Sequence, residues 1–508
     1  MDKLQERPVN NVGQLLQGQI PGVSVVSNGG HLNSEPTVTI RGMGSPNGES
    51  PLYVVDGVPG ASFNLSDVES ITVLKDAASA AIYGAYAGSA GVILVTTKQA
   101  EPGHTTVEYS SVISTSQAMN LPQSLTWDEE YKVREASYTD AGQTLPVGWN
   151  RISEDPVYGK TNTDWIDAIF RSAVSQRHNI AISGGDEEFS NRLSLEYNDN
   201  EGTLINTYNK KIIGRLNSKW NISKYVRIRQ DVSWKDTQVR DTNTTSAESG
   251  AILSALMMPR NVFVYNGDGT YSGTVPTSAD YITKYGETYS NIHGDCINPV
   301  RTLTDAYNNN HLSTLTSSTF LDIIEPVRGL NITSRFTYKQ SNYFYRYYST
   351  RRLEAGKPND NNSLEYESYR DPEWNWENTL TYSRIFGLHN LSLMASNTAS
   401  EYQYRYFSAS ATDFSSEVES MMYFNQAGSI GNPTDTYYKD RNFSMVARAS
   451  YSFANRYFLT GSIRRDYAGR LPEGNKYGDF PSLTGAWKIS SEPWMPKSKN
   501  LNLFISVR

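Results

Sequence analysis

The sequence predicts a mostly β protein in two unequal parts. A small α+β domain is expected over residues 1–103, and the first portion of an antiparallel transmembrane β-barrel over residues 104–508. Three observations carry this reading. Short β-branched runs bounded by turn residues crowd the first hundred positions. After Thr105 the apolar pattern switches to a period of two. The composition is poor in aliphatic residues and rich in aromatic ones: hydrophobic residues make up 38% of 508, with 34 Tyr and 9 Trp. A globular chain of this size usually carries about 45–50% apolar residues. A membrane barrel needs only a thin outer apolar band, aromatic girdles and a polar interior.

In the first part, Val12–Gln17 reads as a short amphipathic helix with Val12, Leu15 and Leu16 on one side. Gly22–Val26 reads as a strand ended by the turn Asn28-Gly29-Gly30. Val38–Ile40, Leu52–Val55 and Val92–Thr96 read as short buried strands of one compact mixed sheet. Asp67–Tyr83 begins as a strand at Ile71–Leu74 and continues as an Ala-rich helix. Glu101-Pro102-Gly103-His104 has the turn chemistry of a boundary.

In the second part, Leu193, Leu195 and Tyr197 alternate with Arg192, Ser194 and Glu196. Val226, Ile228, Val232 and Trp234 alternate with Arg227, Arg229, Asp231 and Ser233. The pattern recurs at Ile332–Tyr338, Leu391–Ala395, Met445–Phe453 and Tyr457–Ile463. Several runs reach about 9–12 residues, and aromatics are expected at strand ends, as where Tyr343, Phe344, Tyr345, Tyr347 and Tyr348 follow one strand. Asn198–Tyr208 and Asn217–Tyr225 read as close connections. Thr237–His311 and Arg352–Asp371 read as long polar loops. Trp127–Tyr131 reads as a helix start inside a loop, capped by Thr126. Ten to twelve strands are expected after residue 105. A barrel of that count has no room for a 100-residue domain, which needs about 22 strands. The chain is therefore expected to be a fragment, cut at both ends.

With 46 basic and 53 acidic residues the net charge is -7, which argues against a nucleic-acid partner. The single cysteine, Cys296, excludes an intrachain disulfide. No apolar run is long enough for a transmembrane helix, and Met1–Asn10 has no signal-peptide core. The six histidines are scattered, with no pair at metal-ligand spacing. Gly42-Met43-Gly44 and Gly267-Asp268-Gly269 lack the third glycine and helix of a dinucleotide loop and read as turns. No nucleophile elbow or P-loop is present. The expectation is a protein that is not an enzyme and needs no cofactor.

Five motifs in order carry a resemblance: Leu16–Val25 (LQGQIPGVSV), Thr37–Ser45 (TVTIRGMGS), Pro51–Pro59 (PLYVVDGVP), Val68–Gly84 (VESITVLKDAASAAIYG) and Gly91–Lys98 (GVILVTTK). With Phe458–Pro472 and Tyr477–Ser490 in the second part, the chain resembles TonB-dependent outer-membrane transporters of the SusC/RagA family of Bacteroidota. The resemblance implies an N-terminal plug and about half of a roughly 22-stranded barrel in the cell outer membrane. It also implies a SusD/RagB-like surface lipoprotein as lid, energy from the TonB–ExbB–ExbD complex, and a glycan or peptide as cargo. The family usually has Arg two residues after the Tyr-Gly pair; here Tyr86 stands there, and no role passes to it.

Within the plug, Arg41, Asp56, Glu69 and Lys75 are the expected switch or plug–barrel contacts, with Arg41 and Glu69 tested first. Arg227, Arg229, Asp231, Arg335, Arg448 and Arg464 lie on the polar faces of their strands and are expected to face the lumen. Two other readings are a receptor that signals to an anti-sigma factor and a secreted β-rich glycan-binding or adhesin protein.

Overall fold

The computed structural model describes residues 12–26, 32, 36–42, 50–75, 90–100, 103–145, 147–241, 250–274, 296–305, 307–354, 358–495 and 504–507. The turn at Asn28–Gly30, the Ala-rich helix after Lys75 and Tyr86 lie outside these residues.

Helix α1 (Val12–Leu16) buries Val12, Leu15 and Leu16. Strand β1 (Val23–Val26) pairs antiparallel with β2 (Thr37–Ile40). Strands β3 (Leu52–Val55), β4 (Val58–Pro59), β5 (Val68–Leu74) and β6 (Val92–Thr97) form a second sheet in the order β4-β3-β6-β5. In it β3 and β6 run parallel, and the other pairs run antiparallel. Val12, Leu16, Val38, Ile40, Val55, Val68, Ile93 and Val95 make one buried core, so α1 and the two-stranded ladder cover the mixed sheet. Burial of such a side chain is worth about 1.5–3 kcal/mol.

Val38–Ile40 thus sits in a ladder of its own, against the expectation of one mixed sheet. The backbone explains the separation. Arg41 (φ 58°) and Gly42 (φ 101°) turn the chain away immediately after Ile40, while the Arg41 amide donates to Gly22 O at 2.8 Å and continues the pairing with β1. Gly91, at φ +87°, opens β6 where a Cβ would stand 2.9 Å from Ile40 Cδ1. Only a residue without that atom lets the two sheets approach so closely.

From Thr106 the chain is a long antiparallel meander, here called the wall. Its strands are β7 (Thr106–Ser116), β8 (Ala173–Gly185), β9 (Phe189–Glu201), β10 (Tyr208–Ser223), β11 (Val226–Arg240), β12 (Tyr307–Ile324), β13 (Leu330–Ser349), β14 (Ser363–Phe386), β15 (His389–Phe414), β17 (Thr434–Phe453), β18 (Tyr457–Ala468), β19 (Tyr477–Lys488) and β20 (Phe504–Val507), with the short β16 (Ala427–Ile430) beside β15. Among the described residues the sheet counts 14 strands from β7 to β20, each paired with the next in sequence except that β15 pairs with β17 and β16 lies off this path, against β15. This exceeds the ten to twelve expected: the last strand, expected at Leu501–Val507, is described at Phe504–Val507, whereas β16, at four residues, is too brief to show a period. The strands are also longer than expected, reaching 26 residues in β15.

Short turns at 186–188, 224–225, 325–329, 387–388 and 454–456 close one end of the wall, and long connections at 117–172, 241–306 and 350–362 close the other. Several boundaries differ from expectation: β10 runs on to Ser223 through the expected connection Asn217–Tyr225, and the expected loop Thr237–His311 narrows to 241–306. The connection at 202–207 belongs to the long-loop end, and Ser363–Asp371 is already strand β14, not loop. Polar side chains carry those segments because the strands there rise beyond any apolar band.

One wall face is apolar and exposed: Val107 (67%), Leu193 (52%), Leu195 (49%), Trp234 (40%) and Ile463 (56%) all point outward. The alternate residues Arg192, Ser194, Glu196, Arg215 and Ser233 are buried. Exposed apolar side chains on one face and buried polar ones on the other invert a soluble sandwich and match a lipid-facing barrel wall.

Tyr343–Tyr348 do not follow a strand; they are part of β13. Tyr343, Tyr345 and Tyr347 therefore share the inner face, while Tyr348 is buried on the outer face with Leu364, Ala411, Phe414 and Met422. The expected girdle is instead split between the two faces by strand alternation.

At the loop end, helices α2 (Trp127–Asp140), α3 (Val147–Glu154), α4 (Trp165–Ile169), α5 (Ala251–Met257) and α6 (Pro299–Thr304) build a separate layer. Thr126 caps α2 in a full capping box with Glu129, as its spacing predicts. Trp165, Ile169, Ala255, Met258, Cys296 and Leu303 form its core. Gly267-Asp268-Gly269 is a turn, closed by the Gly269 amide on Asn266 O at 2.9 Å.

Candidate functional site at the domain boundary

The N-terminal domain rests on the polar face of the wall, and charged groups join the two. Asp56 occupies the β3–β4 turn at φ 49°, a left-handed conformation that Asp tolerates better than most residues. Its carboxylate accepts from the Thr97 amide (2.9 Å) and the Thr97 hydroxyl (2.6 Å) at the end of β6. It also pairs with the Arg215 guanidinium from β10. Both side chains are under 10% exposed. Arg215 donates further to Ser62 O (3.3 Å) and, through Nε, to Asn217 Oδ1 (3.0 Å). The guanidinium is thereby shared between one wall residue, Asn217, and two segments of the N-terminal domain.

A second junction lies at the 3-10 turn Leu65–Asp67. Arg192 Nη2 of β9 donates to Asp67 Oδ1 at 3.0 Å and to Glu108 Oε2 of β7 at 3.1 Å. The other Asp67 oxygen accepts from Ser194 Oγ and from Asn64 Nδ2 (3.2 Å). Ser66 Oγ donates to Glu196 Oε2 at 3.0 Å. A third junction is Arg335 of β13, which donates to Gly57 O and pairs with Glu377 at 2.8 Å. Gly57 stands at φ +87°, a backbone conformation that favours glycine, and a Cβ there would only touch the guanidinium at 3.7 Å.

The remaining candidates are placed as follows. Arg229 grips Asp322 through two hydrogen bonds (2.8 and 3.2 Å) and lies 4.1 Å above the Phe320 ring. Arg229 and Asp231 line a cavity of about 430 Å³ with Asp56 and Gly57. Arg227 donates to Asn221 (2.9 Å), and Arg464 pairs with Asp466 at 2.7 Å. Arg448 is half-buried opposite Met394. Arg41 is exposed in its turn. Glu69 is exposed and makes no ion pair among the described residues, so the two are not joined. Lys75 Nζ donates to Pro21 O at 2.5 Å, within the N-terminal domain. The structure brings together Asp56 with Arg215, and Arg335 with Gly57. Sequence reasoning singled out neither Arg215 nor the pair Asp67–Arg192. Alternation assigned Arg192 to the polar face, and that was the available signal.

Residues 1–92 match the TonB-dependent receptor plug domain. Over 98% of its length the chain is 29% identical to TonB-dependent receptor P3 of Formosa agariphila, covering 47% of that protein. It is 26% identical to TonB-dependent receptor SusC of Bacteroides thetaiotaomicron, spanning 100% of this chain and 50% of that one. The chain is similar to TonB-dependent receptors of the SusC/RagA type. It superposes on the RagAB peptide importer in its open-open state with a TM-score of 0.82 at 23% identity, covering 99% of this chain and 58% of that one. It also matches the ferric enterobactin receptor PfeA of Pseudomonas aeruginosa, at a TM-score of 0.55 and 14% identity, over 96% of this chain and 59% of the other. These last two likenesses concern the fold. The chain spans about half the length of the curated relatives it matches. In a SusC/RagA-like receptor the N-terminal domain is a plug, and the junctions above are plug–wall contacts. The relatives are receptors, not enzymes.

Proposed function

We propose that this chain supplies the plug and the first part of the barrel of an outer-membrane importer for glycans or peptides. It works with a SusD/RagB-like surface lipoprotein and draws energy from the TonB–ExbB–ExbD complex, with the plug ending near residue 103. The observation that carries the reading is the seating of the plug. Buried ion pairs from β9 and β10, and the hydrogen bond from Arg335 of β13 to Gly57 O, hold it against the polar face of a wall whose other face is apolar. A lumen blocked by a removable domain needs an energised step to open and no covalent chemistry.

In this reading the plug is held by contacts that are costly to leave half-made. Removing one partner of a buried pair strands the other charge, whereas displacing both into water restores their hydration. Such contacts suit a two-state gate.

The test is uptake by cells carrying the intact receptor. Growth on the cognate glycan or peptide is expected to stop when either tonB or the neighbouring lipoprotein gene is deleted. Undiminished uptake in the tonB deletion would sink the proposal.

A further inference from the structure

Above the plug, the inner face of the wall carries a row of tyrosines. Tyr343 on β13 stands opposite Tyr369 on β14, and Tyr404 on β15 opposite Tyr438 on β17. Successive ring centroids are 4.7 Å apart for Tyr343–Tyr369, 5.7 Å for Tyr369–Tyr404 and 5.2 Å for Tyr404–Tyr438. The row therefore crosses four strands. Tyr343 lies on the same face as Arg335, which reaches the plug, because strand positions eight apart share a face.

The row is not core packing. Its rings are only partly buried, and Tyr438 is 49% exposed. On the other face of the same strands, Tyr348, Leu364 and Phe414 are fully buried under the 3-10 turn at Glu419–Met421. The wall is thus braced from outside and presents aromatic surface inward.

Charge is segregated across the same stretch. Glu365 and Glu367 share the inner face with Tyr369, opposite Tyr347 and Tyr345. Neither makes a hydrogen bond or ion pair among the described residues. Arg346, Arg370 and Arg405 lie on the outer face, where Arg405 meets Asp435 at 3.3 Å, while Arg301, paired with Glu354, and Arg352 lie near Tyr347 at the loop end. Carboxylates without an ion pair among the described residues, set beside ring faces, suit a cation, which gains from both the ring quadrupole and the charge. A polyanion is repelled there, and a neutral sugar makes no use of that charge.

We propose that this face is a docking track for a basic peptide segment, whose Lys or Arg side chains lie over the tyrosine row and pair with Glu365 and Glu367. The proposal rests on the importer reading and narrows its cargo.

The test is equilibrium binding to the intact, purified receptor without any energy source. Fluorescence anisotropy follows a labelled peptide of alternating lysine and glycine, its glutamate-for-lysine counterpart, and competition by a neutral gluco-oligosaccharide. The basic peptide is expected to bind at least about tenfold more tightly than the acidic one, with an affinity that falls as salt rises. The size-conserving double variant Glu365→Gln/Glu367→Gln is expected to weaken it about tenfold. Tyr369→Leu is expected to weaken it with the salt dependence retained. Equal affinity for the two peptides, no binding of the basic one, displacement by the oligosaccharide, or unchanged affinity in the glutamine variant would overturn the track. None of these results touches the importer reading, which fails only if uptake proves independent of TonB.

Discussion

Arg192 of the wall and Asp67 of the plug meet at 3.0 Å across 125 residues of sequence, with side chains only 4% and 2% exposed. Arg192 has a second carboxylate in Glu108, itself 46% exposed. Asp67 has Ser194 and Asn64 but no second cation among the described residues. The two ends of the pair are therefore unequal, and their loss should not be symmetrical.

Arg192→Met leaves a buried carboxylate facing an apolar side chain. It is expected to weaken plug seating by about 3–5 kcal/mol. Asp67→Asn leaves Arg192 paired with Glu108 and is expected to cost less. Urea-dependent protease access to the plug measures both. Equal midpoints for the two variants would contradict the asymmetry.

Asp56 tests a different property. Asp56→Asn retains a residue tolerant of the left-handed turn and an oxygen for the Thr97 amide, but it gives up the charge that meets Arg215. Asp56→Ala gives up the turn preference as well. Plug release is expected at lower urea for Asn than for wild type, and lower again for Ala. If Asn releases as late as wild type, the ion pair contributes nothing to seating.

Gly91→Ala forces a Cβ to within 2.9 Å of Ile40 Cδ1 at a backbone φ of +87°. Strain of this kind costs about 1–3 kcal/mol. The substitution is expected to loosen the contact between the two plug sheets, read as faster amide exchange in β2 and β6 with the wall unchanged. Gly103→Ala, also at positive φ but with nothing within 4 Å of its Cβ, serves as the comparison for backbone strain alone.

The loop-end helices offer a pH test. The Thr126 amide and hydroxyl donate to the Glu129 carboxylate and hold it below its ordinary range. A carboxyl whose folded value is depressed stabilises the folded form above its unfolded value, and the contribution fades as pH falls through the folded value. Amide protection in the first turn of α2, corrected for intrinsic exchange, is expected to fall as pH drops from neutral to below about 4, where the carboxylate is lost. Glu129→Gln should flatten that dependence, and a persistent slope would assign it to another group.

Trp165 anchors the same layer at 2% exposure, with its indole donating to Pro259 O at 2.9 Å. Trp165→Ala is expected to cost about 3–5 kcal/mol locally. Protease cleavage should then appear within 117–172 while the wall keeps its strand content by circular dichroism. Loss of strand content would mean that the layer and the wall fold as one unit.

The period of two made the wall legible, because strand alternation is local: Leu193, Leu195 and Arg192 reveal their faces without reference to any distant residue. The plug strands were legible for the same reason, as β-branched runs between turn residues. What was not legible depends on register across long separations. Alternation says that Arg215 points inward but not that Asp56 waits there, since that meeting is fixed by every strand pairing between β7 and β10. The tyrosines of β13 were misplaced for a related cause. An aromatic cluster looks the same in sequence whether the strand stops before it or runs through it. Glu69 was singled out and Asp67, two residues away, was not, yet Glu69 is exposed and Asp67 buried, because the 3-10 turn, not the strand, presents the carboxylate to the wall.

The passage from β6 to β7 sets a mechanical limit. Only residues 98–105 separate the last strand of the plug from the first strand of the wall. Eight residues reach at most about 27 Å when fully extended, and the Lys98 amide is held by Asp67 O and the Gly103 amide by Gly185 O, each at 2.8 Å. The N-terminal domain is therefore moored at its C-terminal end, and β6 stays within about 27 Å of the first wall strand however the rest of the domain is placed.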